Sequence, residues 1–386
     1  MMMSVRSIYH FISRVIFIFV LVGCIHKKET TLLFVGSFTD KKPGEGIHVY
    51  AFDNETGEST LKFVLDSVVN TSFLKLSKNG EYLYSVIESQ MPYHGKVGVY
   101  AIDSVQGKID LVDTKDCGGL NPAHIALDKT GRFLANSNYS DGSLSLFKIR
   151  KNGRLSSDPQ VLRFVGSSVI QNRQTSSHIH SANFSPDNQF LFAQDLGSDR
   201  IRSFSLDFSQ QDSILQERAQ IQMKPGSGPR HFVFHPNGSL GYSISELSGK
   251  ITVFRYQNGA LEFVKDYHSY QTRNDIYRAA DIHISPDGKF LYASNRDLDE
   301  NSISIFSINS DNGELKVVDY VSTGGNHPRN FAISPSGKFL IVANQFSNNI
   351  IIYRRDIISG KLERLPHKIT VGQPSSIQMR TYQVSA

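Results

Sequence analysis

Polar and apolar positions along this 386-residue chain repeat in a long cycle. Six times a Gly or Asn turn is followed by a short aromatic and aliphatic run: GEYLY, GRFLA, NQFLF, GSLGY, GKFLY and GKFLI, with the turn residue at Gly80, Gly131, Asn188, Gly238, Gly288 and Gly337. The intervals are 51, 57, 50, 50 and 49 residues, and a fixed period of this size marks stacked supersecondary units. In each unit an alternating segment such as HFVFHP leads into a turn such as PNG or PDG and then a second alternating segment, the pattern of an antiparallel hairpin. A third run follows (SISIFSI, IIIYRR), then a DNGEL- or SGKLE-type turn and a last strand such as KVVDYVS. Four short antiparallel strands per unit predict a β-propeller blade.

The chain ends hold two unmatched pieces. LLFVGSF (Leu32 to Phe38) reads as a second strand without a first, and PSSIQM (Pro374 to Met379) as a first strand without a second. One blade combining both would close the ring and remove its exposed edges. The expected fold is therefore all-β: a seven-bladed propeller of four-stranded blades, forming a single domain over residues 31–386.

The first residues follow another pattern. Arg6 and Arg14 precede the apolar run Val15 to Gly23, too short to span a bilayer and shaped like a signal h-region. It ends in Leu21-Val22-Gly23-Cys24, which resembles a bacterial lipobox. The expectation is a signal peptide over 1–24, lipidation at Cys24, a tether over 25–30, and an exported protein held to the cell envelope on the periplasmic or surface side. Its membrane contact would then be through the lipid anchor alone. An ordinary cleaved signal or a short anchor is the alternative. Cys117 is left without a partner and is expected to be buried, with no disulfide.

Composition narrows the reading further. Phe and Tyr, at 25 and 16, supply flat core fillers, while the absence of Trp argues against a WD40 repeat. The net charge of +5 is spread without a basic block, so no nucleic-acid partner is expected.

Chemistry is placed by the hairpins, because each turn brings the start of its first strand and the end of its second to one face of the ring. Eight residues before the turns lie Ser72, Ala123, His180, Arg230, Ala280 and Arg329, with Ser375 in the combined blade; eight after lie Glu88, Tyr139, Leu196, Glu246, Arg296 and Gln345. Equivalent positions in a repeat resemble one another when they only pack, and these do not. Around the channel mouth they would gather arginines, carboxylates and a histidine, as an anion pocket with a general base requires; solvated loop ends are the plainer alternative.

The next positions, Phe73, His124, Ser181, His231, Asp281 and Asn330, are expected on the opposite side of the strand, with His231 and Asp281 bonding to neighbouring backbone. Asn138, Asn295 and Asn344 are expected to cap loop backbone. His178 and His180 lie two apart on a strand, but no third ligand accompanies them; neither metal nor cofactor is expected. The long interval holds an insertion, VGSSVIQNRQTSS, that enters His178 and could reshape the pocket.

The segments SHIHSANFSPDNQFLFAQDLGSDRI, GSGPRHFVFHPNGSLGYSISEL, ADIHISPDGKFLYASNR and HPRNFAISPSGKFLIVANQ resemble the lactonase family of seven-bladed propellers, which includes propeller-type 6-phosphogluconolactonase and carboxy-cis,cis-muconate cyclase. The resemblance implies carbohydrate metabolism, a lactone-ring hydrolase acting on a sugar lactone or related anionic lactone, a small-molecule lactone or sugar acid as its partner, and catalysis by His180, Arg230 and Glu246. Glu246 would be the base that deprotonates water, with Arg230 and His180 at the oxyanion or leaving alkoxide. Geometry adds Arg296 and Arg329 as anion holders, with Glu88, His178, Tyr139 and Gln345 as further substrate contacts. The protein is expected to be a monomer. Two alternatives stand beside this: a non-catalytic envelope propeller binding a carbohydrate or protein partner, and a muconate-cyclase-like lactonising enzyme. Export also sits uneasily with a cytosolic phosphorylated intermediate as substrate.

Overall fold

The computed structural model describes residues 28–210, 213–272, 276–296 and 300–384. Within them the secondary structure is strand and turn, arranged as seven four-stranded antiparallel sheets. The first blade is the combined one: Pro374–Val384 lies innermost, followed outward by Lys28–Ser37, Ile47–Phe52 and Ser59–Leu65. The inner strands of the other six are Phe73–Leu76, Pro122–Leu127, Ile179–Phe184, Pro229–Phe234, Ala279–Ile284 and Pro328–Ile333. Each inner strand contacts the next around the ring, and the seventh contacts the first. The two chain ends thus do close the propeller.

One boundary moves. Lys28–Thr30, expected in the tether, belong to the strand Lys28–Ser37, because Thr30 pairs with Tyr382 and Glu29 with Gln383. The signal-type segment and Cys24 lie outside the described residues.

The repeat itself explains the packing. The turn residues adopt positive φ, from 60° at Asn188 to 78° at Gly80, a conformation that glycine takes without steric cost and asparagine tolerates. Aromatic residues of the following run fill the space between blades. Tyr84, Tyr242 and Tyr292 are buried there, and each hydroxyl donates to a glycine carbonyl in the outer turn of the next blade: Gly153 at 3.0 Å, Gly313 at 3.3 Å and Gly360 at 2.8 Å. Three of the repeats therefore clasp their successors through one phenol that would otherwise be an unsatisfied buried donor. Cys117 is free and buried, donates to the Gly119 carbonyl, and burial pushes its thiol up to about 12. Asn138, Asn295 and Asn344 cap backbone as expected, donating to the carbonyls of Cys117, Ser269 and Thr323.

Candidate active site

The inner strands are not regular where they meet the channel mouth. In the third blade Pro122 pairs with Asn138 and His124 with Ser137, so Ala123 has no partner. The same extra residue recurs as His180, Arg230, Arg329 and Ser375, and in the sixth blade Ala280 and Asp281 together oppose one residue. A bulge of this kind breaks the two-residue alternation and re-aims the side chain. Two successive residues can then both face inward.

They do. His180 and Arg329 line the pocket at the mouth, while the following residues tie adjacent blades together, Ser181 Oγ donating to the Arg230 carbonyl and Asn330 Oδ1 accepting from Ile377 N, each at 2.7 Å. Phe73, His124 and His231 also meet at the axis, where strict alternation would not bring them. Across that axis the His231 ring lies 5.4 Å from His124, 5.3 Å from His180 and 6.1 Å from Phe73. Asp281 likewise reaches side chains rather than only backbone. Its Oδ1 accepts from His231 Nδ1 at 2.7 Å, and its Oδ2 from His283 Nε2 at 2.9 Å and Asn330 Nδ2 at 2.5 Å.

The pocket has a volume of about 160 Å³. Ala123, Tyr139, His180 and Glu246 form one part of its wall, Arg173, Arg296 and Arg329 supply charge, and Gln90 and Asn121 complete the lining. Larger grooves, about 400 Å³ beside Met223, Phe254 and Phe263 and about 550 Å³ beside Lys78, Tyr82 and Arg150, lie away from these groups. Chemistry rather than size selects the axial pocket.

Glu246 is its electrostatic centre. Oε2 accepts from Arg230 Nε at 3.0 Å and Arg296 Nη2 at 2.9 Å, and Oε1 from Arg173 Nη2 at 2.6 Å. Burial opposes the charge, but Arg296, Arg173 and Arg230 outweigh it and hold the carboxyl far below the usual carboxylate range. Arg230 is almost fully buried and also donates to the Ala280 carbonyl at 2.6 Å and meets His231 Nε2 at 3.2 Å. With His231 donating to Asp281, the buried string Asp281, His231, Arg230 and Glu246 runs from the channel into the pocket.

His180 differs in kind. Its Nδ1 has no hydrogen-bond partner among the described residues. Burial, then the positive field of Arg230 and neighbouring arginines, lowers its pKa well below the ordinary value, so the ring is neutral at pH 7. Arg329 stacks over the Phe38 ring at 5.0 Å and forms no ion pair among the described residues. Burial and the repulsion of Arg296 bring its pKa down to about 10. Three guanidinium groups thus bond one carboxylate, and a fourth, Arg329, stands near them uncommitted.

The structure brings together Glu246, Arg230, His180, Arg296, Arg329 and Tyr139. It places three other expected contacts outside the lining. Glu88 is paired with Lys96 Nζ at 2.7 Å. His178 precedes its strand and lies flat on Tyr139, ring centroids 4.5 Å apart, with Nδ1 donating to the Tyr139 carbonyl at 2.8 Å. Gln345 faces Gln373 at 3.5 Å.

Two functional groups were not singled out from sequence. Arg173 lies in the insertion, outside the repeat, where no periodic slot marks it; the irregular interval was its only signal. His327, in HPRN, meets Arg296 Nη1 at 3.2 Å, stacks on Phe346, and has its pKa lowered to about 2 by burial and by Arg296.

Comparison with known proteins follows the same lines. Residues 32–379 match the family model for Lactonase, 7-bladed beta-propeller. Over 351 residues the chain is 56% identical to a 6-phosphogluconolactonase of Formosa agariphila, covering 91% of this chain and 99% of that one. Over 348 residues it is 30% identical to a 6-phosphogluconolactonase of Bacillus subtilis, covering 89% and 97%. Among solved structures, the periplasmic gluconolactonase of Pseudomonas aeruginosa superposes with a TM-score of 0.85 at 32% identity, covering 91% of this chain and 99% of that one.

Proposed function

The chain belongs to the lactonase family of seven-bladed β-propellers, and from that premise we propose that it hydrolyses the ring ester of a sugar lactone carrying an anionic substituent, phosphate or carboxylate. The observation that carries this reading is the uncommitted Arg329 beside a neutral His180 in a pocket lined by three guanidinium groups and one carboxylate. A neutral lactone leaves that charge unused; an anionic one pairs with it through forked hydrogen bonds.

The division of labour follows from what each group has free. Glu246 has both oxygens occupied by guanidinium donors and a depressed affinity for protons, so it is a poor base. We assign it instead to orienting Arg173, Arg230 and Arg296. His180 is the base: water attacks the lactone carbonyl carbon as the imidazole takes its proton. The positive field of Arg296 in the wall, and of Arg230 buried behind Glu246, stabilises the negative charge that develops on the carbonyl oxygen. The ring C–O bond then breaks, and the imidazolium returns its proton to the departing alkoxide, leaving a hydroxy acid and a neutral His180. Arg329 and Arg173 hold the anionic substituent, and Tyr139 supports the sugar face. Burial is the larger cause of His180's low basicity; charge on the bound substrate offsets the arginine part of it and raises the proton affinity of the ring in the complex.

We also infer export and a lipid anchor at Cys24, from the apolar run, the Leu21-Val22-Gly23-Cys24 tetrapeptide and the likeness to a periplasmic protein. An extracytoplasmic anionic lactone reconciles that location with the pocket. The test is the initial rate of opening of phosphorylated and unphosphorylated gluconolactone, above the buffer rate, by the wild type and by His180→Ala and Arg329→Ala.

A further inference from the structure

We propose that Asp199, in the loop between the second and third strands of the fourth blade, is the positioning residue that sets Arg173, Arg230 and Glu246 in register with one another; the inference rests on the lactonase reading of the pocket. Asp199 touches none of the pocket space. Its carboxylate is fully buried and accepts five hydrogen bonds, from two stretches of chain that are distant in sequence.

One stretch is the insertion. Gln174 Nε2 donates to Oδ1 at 2.8 Å and Ser168 Oγ to Oδ2 at 2.6 Å. These two residues bracket the turn in which the amides of Arg173 and Gln174 bond the Ile170 carbonyl at 3.0 and 2.7 Å. Arg173 is therefore presented by a turn whose ends are tied to one carboxylate.

The other stretch enters the fifth blade. Gly226 N donates to Oδ2 at 2.6 Å, Gly228 N to Oδ1 at 2.6 Å and Ser227 Oγ to Oδ1 at 3.1 Å. Gly228 stands two residues before Arg230, and its carbonyl accepts the Glu246 amide at 2.8 Å. Fixing Gly228 thus fixes both the bulge that aims Arg230 and the backbone of its carboxylate partner. The insertion is also tied to the propeller through Gln174 Nε2 to the Leu196 carbonyl at 2.9 Å and Ser177 Oγ to Asp195 at 2.5 Å. Asp199, however, bonds both the turn that presents Arg173 and the backbone that leads to Arg230, with its acceptor sites filled.

Two substitutions separate the arms. Asp199→Asn keeps the shape but turns an acceptor into a donor facing N–H and O–H groups, loosening both. Gln174→Leu cuts the amide tie from the Arg173 turn to Asp199, together with that side chain's bonds to Leu196 and Ile170, and leaves the Gly226 and Gly228 arm intact. Loss of a charged partner's hydrogen bonds predicts a fall in kcat/KM of about 30-fold or more for Asp199→Asn, in protein verified as folded. Gln174→Leu should reproduce the loss seen in Arg173→Ala, and the two together should cost no more than either. In Asp199→Asn, amide hydrogens of Gly226 and Gly228 should exchange faster in deuterium labelling. Asp199→Asn with kcat/KM within about threefold of wild type and unchanged exchange at Gly226 and Gly228 overturns the proposal. So do losses that multiply in the Gln174→Leu, Arg173→Ala pair. Should the wild type open no lactone, the lactonase reading fails on its own; the deuterium labelling and the affinity for inorganic phosphate, weakened in both variants if Asp199 positions the arginines, still decide this one.

Discussion

Arg173 and Glu246 meet at 2.6 Å across the mouth of the propeller, one from an insertion before the fourth blade and one from the end of a strand in the fifth. Arg173 is only partly buried while Glu246 is nearly sealed, so the pair runs from the solvent side of the pocket wall to its interior. A carboxylate shared by three arginines keeps their mutual repulsion in check and leaves the surplus positive charge for a ligand.

Arg173→Ala removes one donor from Glu246 and one cation from the pocket. Kinetics on an anionic lactone should show kcat/KM reduced by about 10- to 100-fold, and Arg173→Lys should recover only part, because an ammonium lacks the planar fork.

Arg329 forms no ion pair among the described residues, so its removal disturbs little else. In Arg329→Ala, KM for a phosphorylated lactone should rise by about tenfold or more while KM for the unphosphorylated parent changes far less. A competition assay between the two substrates measures this, and the preference should also shrink as ionic strength is raised.

His180→Ala should lower kcat by about 10² to 10⁴. In the wild type the ring is already neutral well below its ordinary pKa of 6.5, so kcat/KM should stay level from pH 8 to 6.5 and fall only at lower pH. The acid limb of kcat should lie higher than that of kcat/KM, because a bound anion offsets the arginines. Rates across pH 4.5 to 8 distinguish these profiles from a carboxylate base.

The same burial links folding to pH. His231 is lowered to about 4 and His327 to about 2, with His124 also well below 6.5, in each case by burial first and then by neighbouring positive charge. Below pH 6.5 the unfolded chain binds protons at these rings that the folded chain refuses, so stability increases with pH between about 4 and 6.5. Each fully buried ring should cost about 2 kcal/mol at pH 5 relative to pH 7. Thermal unfolding should give a lower Tm at pH 5, with a smaller drop in His124→Phe; equal Tm values would contradict this.

The ring was legible in the sequence because a turn with positive φ recurs at nearly constant spacing, and because two orphan strands at the ends match one blade. The pocket was legible to the extent that it lies on the repeat: His180, Arg230, Glu246, Arg296 and Arg329 are equivalent slots filled unequally. What the period could not carry was local. A one-residue bulge turns His231 and Asp281 toward the axis, and alternation alone predicts the opposite. Glu88 occupies a pocket slot but finds Lys96 nearer than any ligand. Arg173 sits in an insertion whose Gln174 bonds Asp199, a contact made only in three dimensions.

The central claim is that this pocket opens an anionic lactone with His180 as base. Initial rates in a pH-stat with a phosphorylated gluconolactone, corrected for buffer hydrolysis, test it most directly in wild type and His180→Ala. The wild type should open the ring well above the buffer rate, and the variant should lose nearly all of that activity. Opening no faster than in buffer, or a His180→Ala rate equal to wild type, would contradict it.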